Sequence, residues 1–283
     1  DIGTTVLAPN GSGANLTDLP AGGNVADFVA TGTLPNGKPV VLKSDGTVEV
    51  VHIDVLAQSV PLGSEAQYES GNTTGHIVKF DPNTPNRFIV YYTDTSNSYY
   101  PTLVVGTVSG SSLSFSSPVV VASFNGTRML SVDYNPNVAN RFVVTYQNGY
   151  HMRSKVCTST ASNVYFGTEI TIAAYAISED SALVSFDPNT ANSLCFVYAH
   201  ASASSSGRAR AATISGTTLT LGTEIYWATG GGLFHLSGGF SPLQAGRFVY
   251  AFRSQQYSYM ANVRSIHISG LTCTHKNQYQ LAG

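Results

Sequence analysis

The chain has 283 residues, enough to bury most of its apolar surface in one large all-β domain or two ordinary ones. Charged residues make up 11% of it, against about 25% in an average globular protein, and the formal net charge is −2. With no basic cluster the chain is a poor match for nucleic acid or an anionic membrane surface, and no run of about 18 apolar residues offers a transmembrane helix.

Residues 1–24, rich in Gly, Asn and Thr, read as an extended N-terminal arm or the end of an upstream module. Asp1 in place of Met, and the closing QLAG, suggest a piece of a longer product. Residues 25–283 read as one repeat-built domain. It opens with KPVVLKSDGTVEVV, a hairpin around Ser44, Asp45 and Gly46, and Leu62 begins a strand that could end a preceding repeat.

The stretch FDPNTPNRFIVYY from Phe80 returns as YNPNVANRFVVTY from Tyr134 and FDPNTANSLCFVY from Phe186, and more weakly as FSPLQAGRFVYAF from Phe240. A second marker runs in the same phase: LGSE at Leu62, FSSP at Phe115, FGTE at Phe166 and LGTE at Leu221. Two independent markers with one period of about 53 residues mean a structural repeat. Within one repeat, HIVKF, RFIVYY, TLVVGTV and SLSF are short β-branched and aromatic runs bounded by Pro, Asn, Gly and Ser, hence four strands, A to D. DPNTPN is a tight A-to-B turn in which Pro fixes φ and Asn tolerates left-handed geometry. No window shows helical periodicity. Closing such units into a ring protects strand edges, so the expected fold is an all-β propeller of four-stranded antiparallel blades, five in number or alternatively four. A pair of stacked β-sandwiches is the rival.

GKPVVLKSDGTVEVV, SGNTTGHIVKFDPNT and LVVGTVSGSSLSFSS resemble repeats in virion structural and tail-associated proteins of tailed bacteriophages, especially those of marine cyanobacteria. VLAPNGSGANLTDLP is similar to segments that punctuate phage tail fibres. The resemblance implies a virion-surface tail fibre, spike or appendage that adsorbs to a bacterial surface. It further implies a homo-oligomer, a trimer among the expected forms, with a bacterial surface glycan and other virion subunits as partners. It carries over no catalytic residue.

A short A-to-B turn puts the B-to-C and D-to-A loops together at the opposite end. The candidate ligand-binding residues there are Tyr99, Tyr100, Tyr150, His151, His200, His235, Arg253 and Tyr257, accompanied by Gln256, Tyr259 and His76. Aromatic faces beside amides and hydroxyls suit a sugar ring; the same set suits a protein partner, or interior packing between blades. The residues before the marker aromatics, Lys79, Asp133, Ser185 and Gly239, form a polar column on the innermost strands, where Lys79 and Asp133 could pair. Arg87, Arg141 and Arg247 recur at the A-to-B turn and read as structural. Cys157, Cys195 and Cys273 lack the spacing of a zinc or redox site and read as buried thiols. The histidines fall on different repeats, so no metal or cofactor is expected. An enzyme is not expected either; the alternative is a polysaccharide hydrolase or lyase using Glu179, Asp180 or Asp94, or else a free lectin.

Overall fold

The computed structural model describes residues 29–30, 32–34, 40–50, 63–124, 128–201, 206–228, 233–254 and 260–280. The chain divides into two compact units, Asp1–Leu62 and Gly63–Gly283. In the first, β1 (Val29–Ala30), β2 (Val40–Leu42) and β3 (Thr47–Val50) form a small sheet in the order β1-β3-β2. The expected hairpin is there: β2 and β3 pair antiparallel, and Asp45 Oδ1 accepts from the Thr47 N–H at 3.0 Å and its hydroxyl at 2.7 Å.

The second unit contains four sheets in sequence. The first is β4 (Thr73–Phe80), β5 (Arg87–Asp94), β6 (Tyr100–Ser109) and β7 (Ser112–Phe115), with β8 (Val119–Val120) also on β6. The second is β9 (Arg128–Tyr134), β10 (Arg141–Asn148), β11 (His151–Ser159) and β12 (Val164–Phe166), with β13 (Ile170–Ala173) on β11. The third is β14 (Ile177–Phe186), β15 (Ser193–His200), β16 (Gly207–Ser215) and β17 (Thr218–Leu221), with β18 (Ile225–Ala228) on β16. The fourth is β19 (Leu233–Phe240), β20 (Arg247–Ser254), β21 (Met260–Ser269) and β22 (Thr272–Gln280). All pairings in these four sheets are antiparallel, and no helix occurs among the described residues. The fourth strand of the first three repeats is thus two short strands on one partner, broken at the second sequence marker.

In the second and third sheets that break has a packing cause. A Cβ at Gly167 would overlap the backbone of Thr217 in the next sheet's β16–β17 turn, and one at Gly222 would overlap Leu271 in the β21–β22 turn. Gly63 stands in the same relation to Ser111. The glycine lets one sheet's outer strand touch the next sheet's turn.

The innermost strands β4, β9, β14 and β19 lie side by side in that order, and the sheets radiate outward from them. No comparable packing joins β19 back to β4 among the described residues. Four sheets in an arc around one line are a propeller-like architecture and not a pair of sandwiches. The second strands of the first three sheets bury both faces, which is why they read as unbroken apolar runs. Ile89 and Tyr91 meet Phe142, Val144 and Tyr146; Val143 meets Leu194, Phe196 and Tyr198; Cys195 and Val197 meet Phe248, Tyr250 and Phe252. In the last sheet alternation reappears, with Arg247, Val249, Ala251 and Arg253 exposed along β20. On the outward face of the first sheet Tyr68 and Phe115 cover Phe88 and Tyr92, whereas Phe80 stays 58% exposed.

The A-to-B turns link the sheets. Asp81 Oδ1, Asn135 Oδ1 and Asp187 Oδ1 each accept the N–H two residues on at 2.9 Å. The other oxygens reach forward: Asp81 Oδ2 accepts from the Asn140 N–H at 2.9 Å, and Asp187 Oδ2 from the Gly246 N–H at 2.7 Å. The amides of Asn83, Asn137 and Asn189 donate to Asn135, Pro188 and Ser241 carbonyls in the following turns. Asn86, Asn140 and Asn192 have φ of 63°, 64° and 59°, the left-handed geometry expected of them. Arg87 donates to Asn140 Oδ1, a structural contact. Lys79 Nζ lies 3.3 Å from Asp133 Oδ1, so the expected pair forms on the innermost strands. Burial lifts the Asp133 carboxyl above its ordinary range, with Lys79 opposing. All three cysteines are buried and free.

Candidate functional site

At the end opposite these turns, B-to-C and D-to-A segments meet as the topology requires. The Thr95 N–H donates to the Asn72 carbonyl and the Ala201 N–H to the Ala176 carbonyl, both at 2.9 Å. This end is the candidate binding rim, and two junctions between successive sheets give it chemistry.

At the junction of the second and third sheets, β18 follows LGTE and brings Glu224 beneath the rim. Glu224 Oε2 accepts from the phenols of Tyr175 at 2.5 Å and Tyr198 at 2.6 Å, while Arg208 reaches Oε1 at 2.5 Å. Burial alone would raise the Glu224 pKa; the two phenols and Arg208 outweigh it and hold the carboxyl below its ordinary value. The Tyr198 phenol is pushed up, first by burial. The Arg208 guanidinium lies 3.6 Å from the Tyr226 ring centre, and His200 stacks on Tyr175 at 4.1 Å. Burial, then Arg208, lowers the His200 pKa.

At the junction of the first and second sheets the frame recurs. Glu169 Oε2 accepts from the Tyr146 phenol, and Arg153 lies 3.5 Å from Oε1. Lys155 sits 3.9 Å from Glu169 and donates to the Val121 carbonyl at 2.7 Å, just as Arg210 donates to Ile172 at 2.7 Å one repeat later. Here, however, the rim opens into a cleft of about 380 Å³ lined by Asn97, Tyr100, Val120 to Phe124, Lys155 and Glu169.

The sequence candidates distribute over these junctions without converging on one point. Tyr99, at φ 62° and 59% exposed, sits beside Tyr100, the half-buried first residue of β6 whose ring lines the cleft. Tyr150 is 78% exposed on a tight turn with Gly149; QNGYHMRS reads as a longer loop, but His151 already begins β11, paired with Asn148. His200 belongs to the closed junction. His235 lies exposed at a bulge in β19, where Arg253 approaches the Phe234 ring at 5.3 Å. Tyr257, with Gln256 and Tyr259, falls outside the described residues, as do the side chains of Glu179 and Asp180. Asp94 is buried, and its Oδ1 accepts from the Ser96 and Asn97 N–H groups, both at 3.0 Å, and from the Ser96 hydroxyl at 2.6 Å, so it shapes the loop that carries Tyr99. No group of three His, Cys, Asp or Glu side chains suited to a metal ion occurs among the described residues.

Sequence reasoning missed Glu169, Glu224, Arg153 and Arg208. The signal was the Glu of G-T-E followed through two repeats, which served only as a phase marker. Tyr146 and Tyr198 lie inside apolar runs that read as core.

No family model and no curated protein sequence matches this chain. Among solved structures, a provisionally named 6-phosphogluconolactonase from Bacteroides fragilis is similar in fold at 10% sequence identity and a TM-score of 0.51. The match covers 86% of this chain and 64% of that one, so the chain spans less than two thirds of that neighbour's length. At such identity the likeness bears on the fold.

Proposed function

We propose that this chain is a non-enzymatic adhesive module of a virion surface, a tail fibre, spike or appendage of a tailed bacteriophage, whose rim engages a bacterial surface glycan. In this reading the repeats number five, or alternatively four. Gly63 supports five, because it meets Ser111 as Gly167 meets Thr217 and Gly222 meets Leu271, each at the close of a repeat. A homo-oligomer, a trimer in a fibre, would multiply weak rim contacts into firm attachment, and neighbouring virion subunits are its other partners.

The observation that carries the reading is the cleft at the first junction. It places Tyr100 and Phe124 beside an amide, an ammonium and a carboxylate on an exposed rim. Flat apolar faces with a few convergent polar groups are what small-ligand sites need. Hydrolysis, which the Bacteroides neighbour's name brings to mind, would require a carboxylate at liberty to exchange protons. Glu224 is engaged by two phenols and a guanidinium, and Glu169 by Tyr146 with Arg153 alongside. Incubation with a panel of bacterial surface polysaccharides, following both retention and release of reducing ends, tests this. Retention without release is expected; release would overturn the non-enzymatic reading, and no retention on any polysaccharide would overturn the adhesive one.

A further inference from the structure

We infer that the cleft between the first and second sheets is a subsite for one neutral hexopyranose unit, held by a sugar hydroxyl donated to Glu169. This rests on the glycan-binding reading above and names where the sugar sits and what the site asks of it.

The two junctions are repeats of one another, so each shows what the other lacks. Tyr146, Arg153, Lys155 and Glu169 correspond in repeat position to Tyr198, Arg208, Arg210 and Glu224, and the contacts among them correspond as well. Besides Lys155 for Arg210, three positions differ. Phe124 stands where Tyr175 stands one repeat later, Thr171 where Tyr226 stands, and Asn148 where His200 stands. At the closed junction the Tyr175 phenol donates to Glu224, His200 stacks on that ring, and Tyr226 covers Arg208. Phe124 has no hydroxyl to donate, and the residue is 58% exposed. Thr171 is too small to cover Arg153 and instead accepts its N–H at 2.7 Å.

Glu169 is therefore short of the hydroxyl that Glu224 receives from Tyr175, and it lines the open cleft instead. What fits is a flat ring with a hydroxyl on its edge. A pyranose answers both requirements: its CH face lies against Phe124 or Tyr100, one hydroxyl donates to Glu169, and another meets the Asn97 amide or the Lys155 ammonium. The cleft, about 380 Å³, lies near the lower end of ordinary ligand pockets, the scale of one or two sugar rings. Neutral sugar is favoured because the charges are already spent on each other: Arg153 and Lys155 flank Glu169, and Lys155 also holds the Val121 carbonyl.

The test uses the full chain and two substitutions, Phe124→Tyr and Asn97→Ala. Phe124→Tyr places a phenol hydroxyl at the repeat position from which Tyr175 donates to Glu224, so it should hold or raise the melting temperature while competing with a sugar hydroxyl for Glu169. Binding is read by saturation-transfer NMR with millimolar methyl glucopyranoside, galactopyranoside and mannopyranoside, and by retention on the polysaccharides that hold the parent chain. Transfer to at least one methyl hexopyranoside, with signal and retention both lowered about tenfold or more in each variant, is the expected result. Polysaccharide retention that neither substitution alters would overturn the subsite and leave the adhesive reading standing. Failure of the parent chain to retain any polysaccharide would remove the adhesive reading itself. Loss in the variants of binding to a virion protein, with no sugar transfer in the parent chain, would assign the cleft to a tyrosine-like protein side chain and overturn the sugar.

Discussion

Tyr198 shows how one side chain can look like core and act as part of a polar frame. Its ring packs with Phe196 and Leu194 in the apolar interface, while its hydroxyl ends on Glu224 at 2.6 Å. A hydrogen bond to a charged acceptor is worth about 1.5–3 kcal/mol, so Tyr198→Phe should cost about that in chemical denaturation at neutral pH. Glu224 adds a sign. Its folded pKa lies below its unfolded value, so the stability it contributes is present above the ordinary Glu pKa of about 4.3 and is lost as pH falls through the folded value. The deficit of Tyr198→Phe should therefore shrink in acid, where the parent chain has surrendered the same interaction. A deficit that stays constant to pH 3 would mean that the phenol acts through packing alone. His200 pulls in the same direction: its lowered pKa favours the neutral ring in the fold, and that contribution also fades on acidification, starting nearer its ordinary value of about 6.5.

At the scale of the element, the A-to-B turn explains why one phrase recurs. DPN is legible as a turn, because Pro and Asn have backbone preferences that act within four residues. Its second duty is not legible, since periodicity gives the interval between copies and not what one copy touches in the next. Asp187 does both: Oδ1 closes its own turn at Asn189 and Oδ2 caps the buried Gly246 N–H in the following one. Replacing Asp187 by Ala strands the buried Gly246 donor, at about 1–3 kcal/mol, and removes the bond to the part-buried Asn189 N–H, at about 1 kcal/mol, so a total loss of about 2–4 kcal/mol is expected. Ser241 holds the same place in the last turn, where its hydroxyl accepts from the Leu243 and Gln244 N–H groups of its own loop. Ser241→Ala should cost less than about 1 kcal/mol, and urea midpoints of the two variants would separate the local role from the bridging one. The rim was legible to a similar degree: strand order put Tyr99, Tyr100 and His200 at one end, but strand order does not show what separates the two junctions, where Phe124, Thr171 and Asn148 stand in place of Tyr175, Tyr226 and His200.

For the four-sheet unit as a whole, the interval of the repeat announced successive similar sheets, and their burial follows from it. The angle between sheets is set by how Phe142, Leu194 and Phe248 seat against the preceding sheet, and no periodicity encodes that. Hence four repeats and a radial order could be read, while the lack of comparable packing between β19 and β4 among the described residues could not. An arc in which each sheet touches only its neighbours behaves as a row of coupled units, with stability the sum of each sheet and its interfaces. Phe248, fully buried between the third and fourth sheets, tests this. Phe248→Ala should remove about 3–5 kcal/mol from that interface. In an arc the loss stays at one end: hydrogen exchange should quicken across β19 to β22 first, next in β14 to β18, and hardly at all in β4 to β8. If β19 instead closed onto β4 in solution, a loosened fourth sheet would release two neighbours at once, and β4 to β8 would lose protection together with β14 to β18.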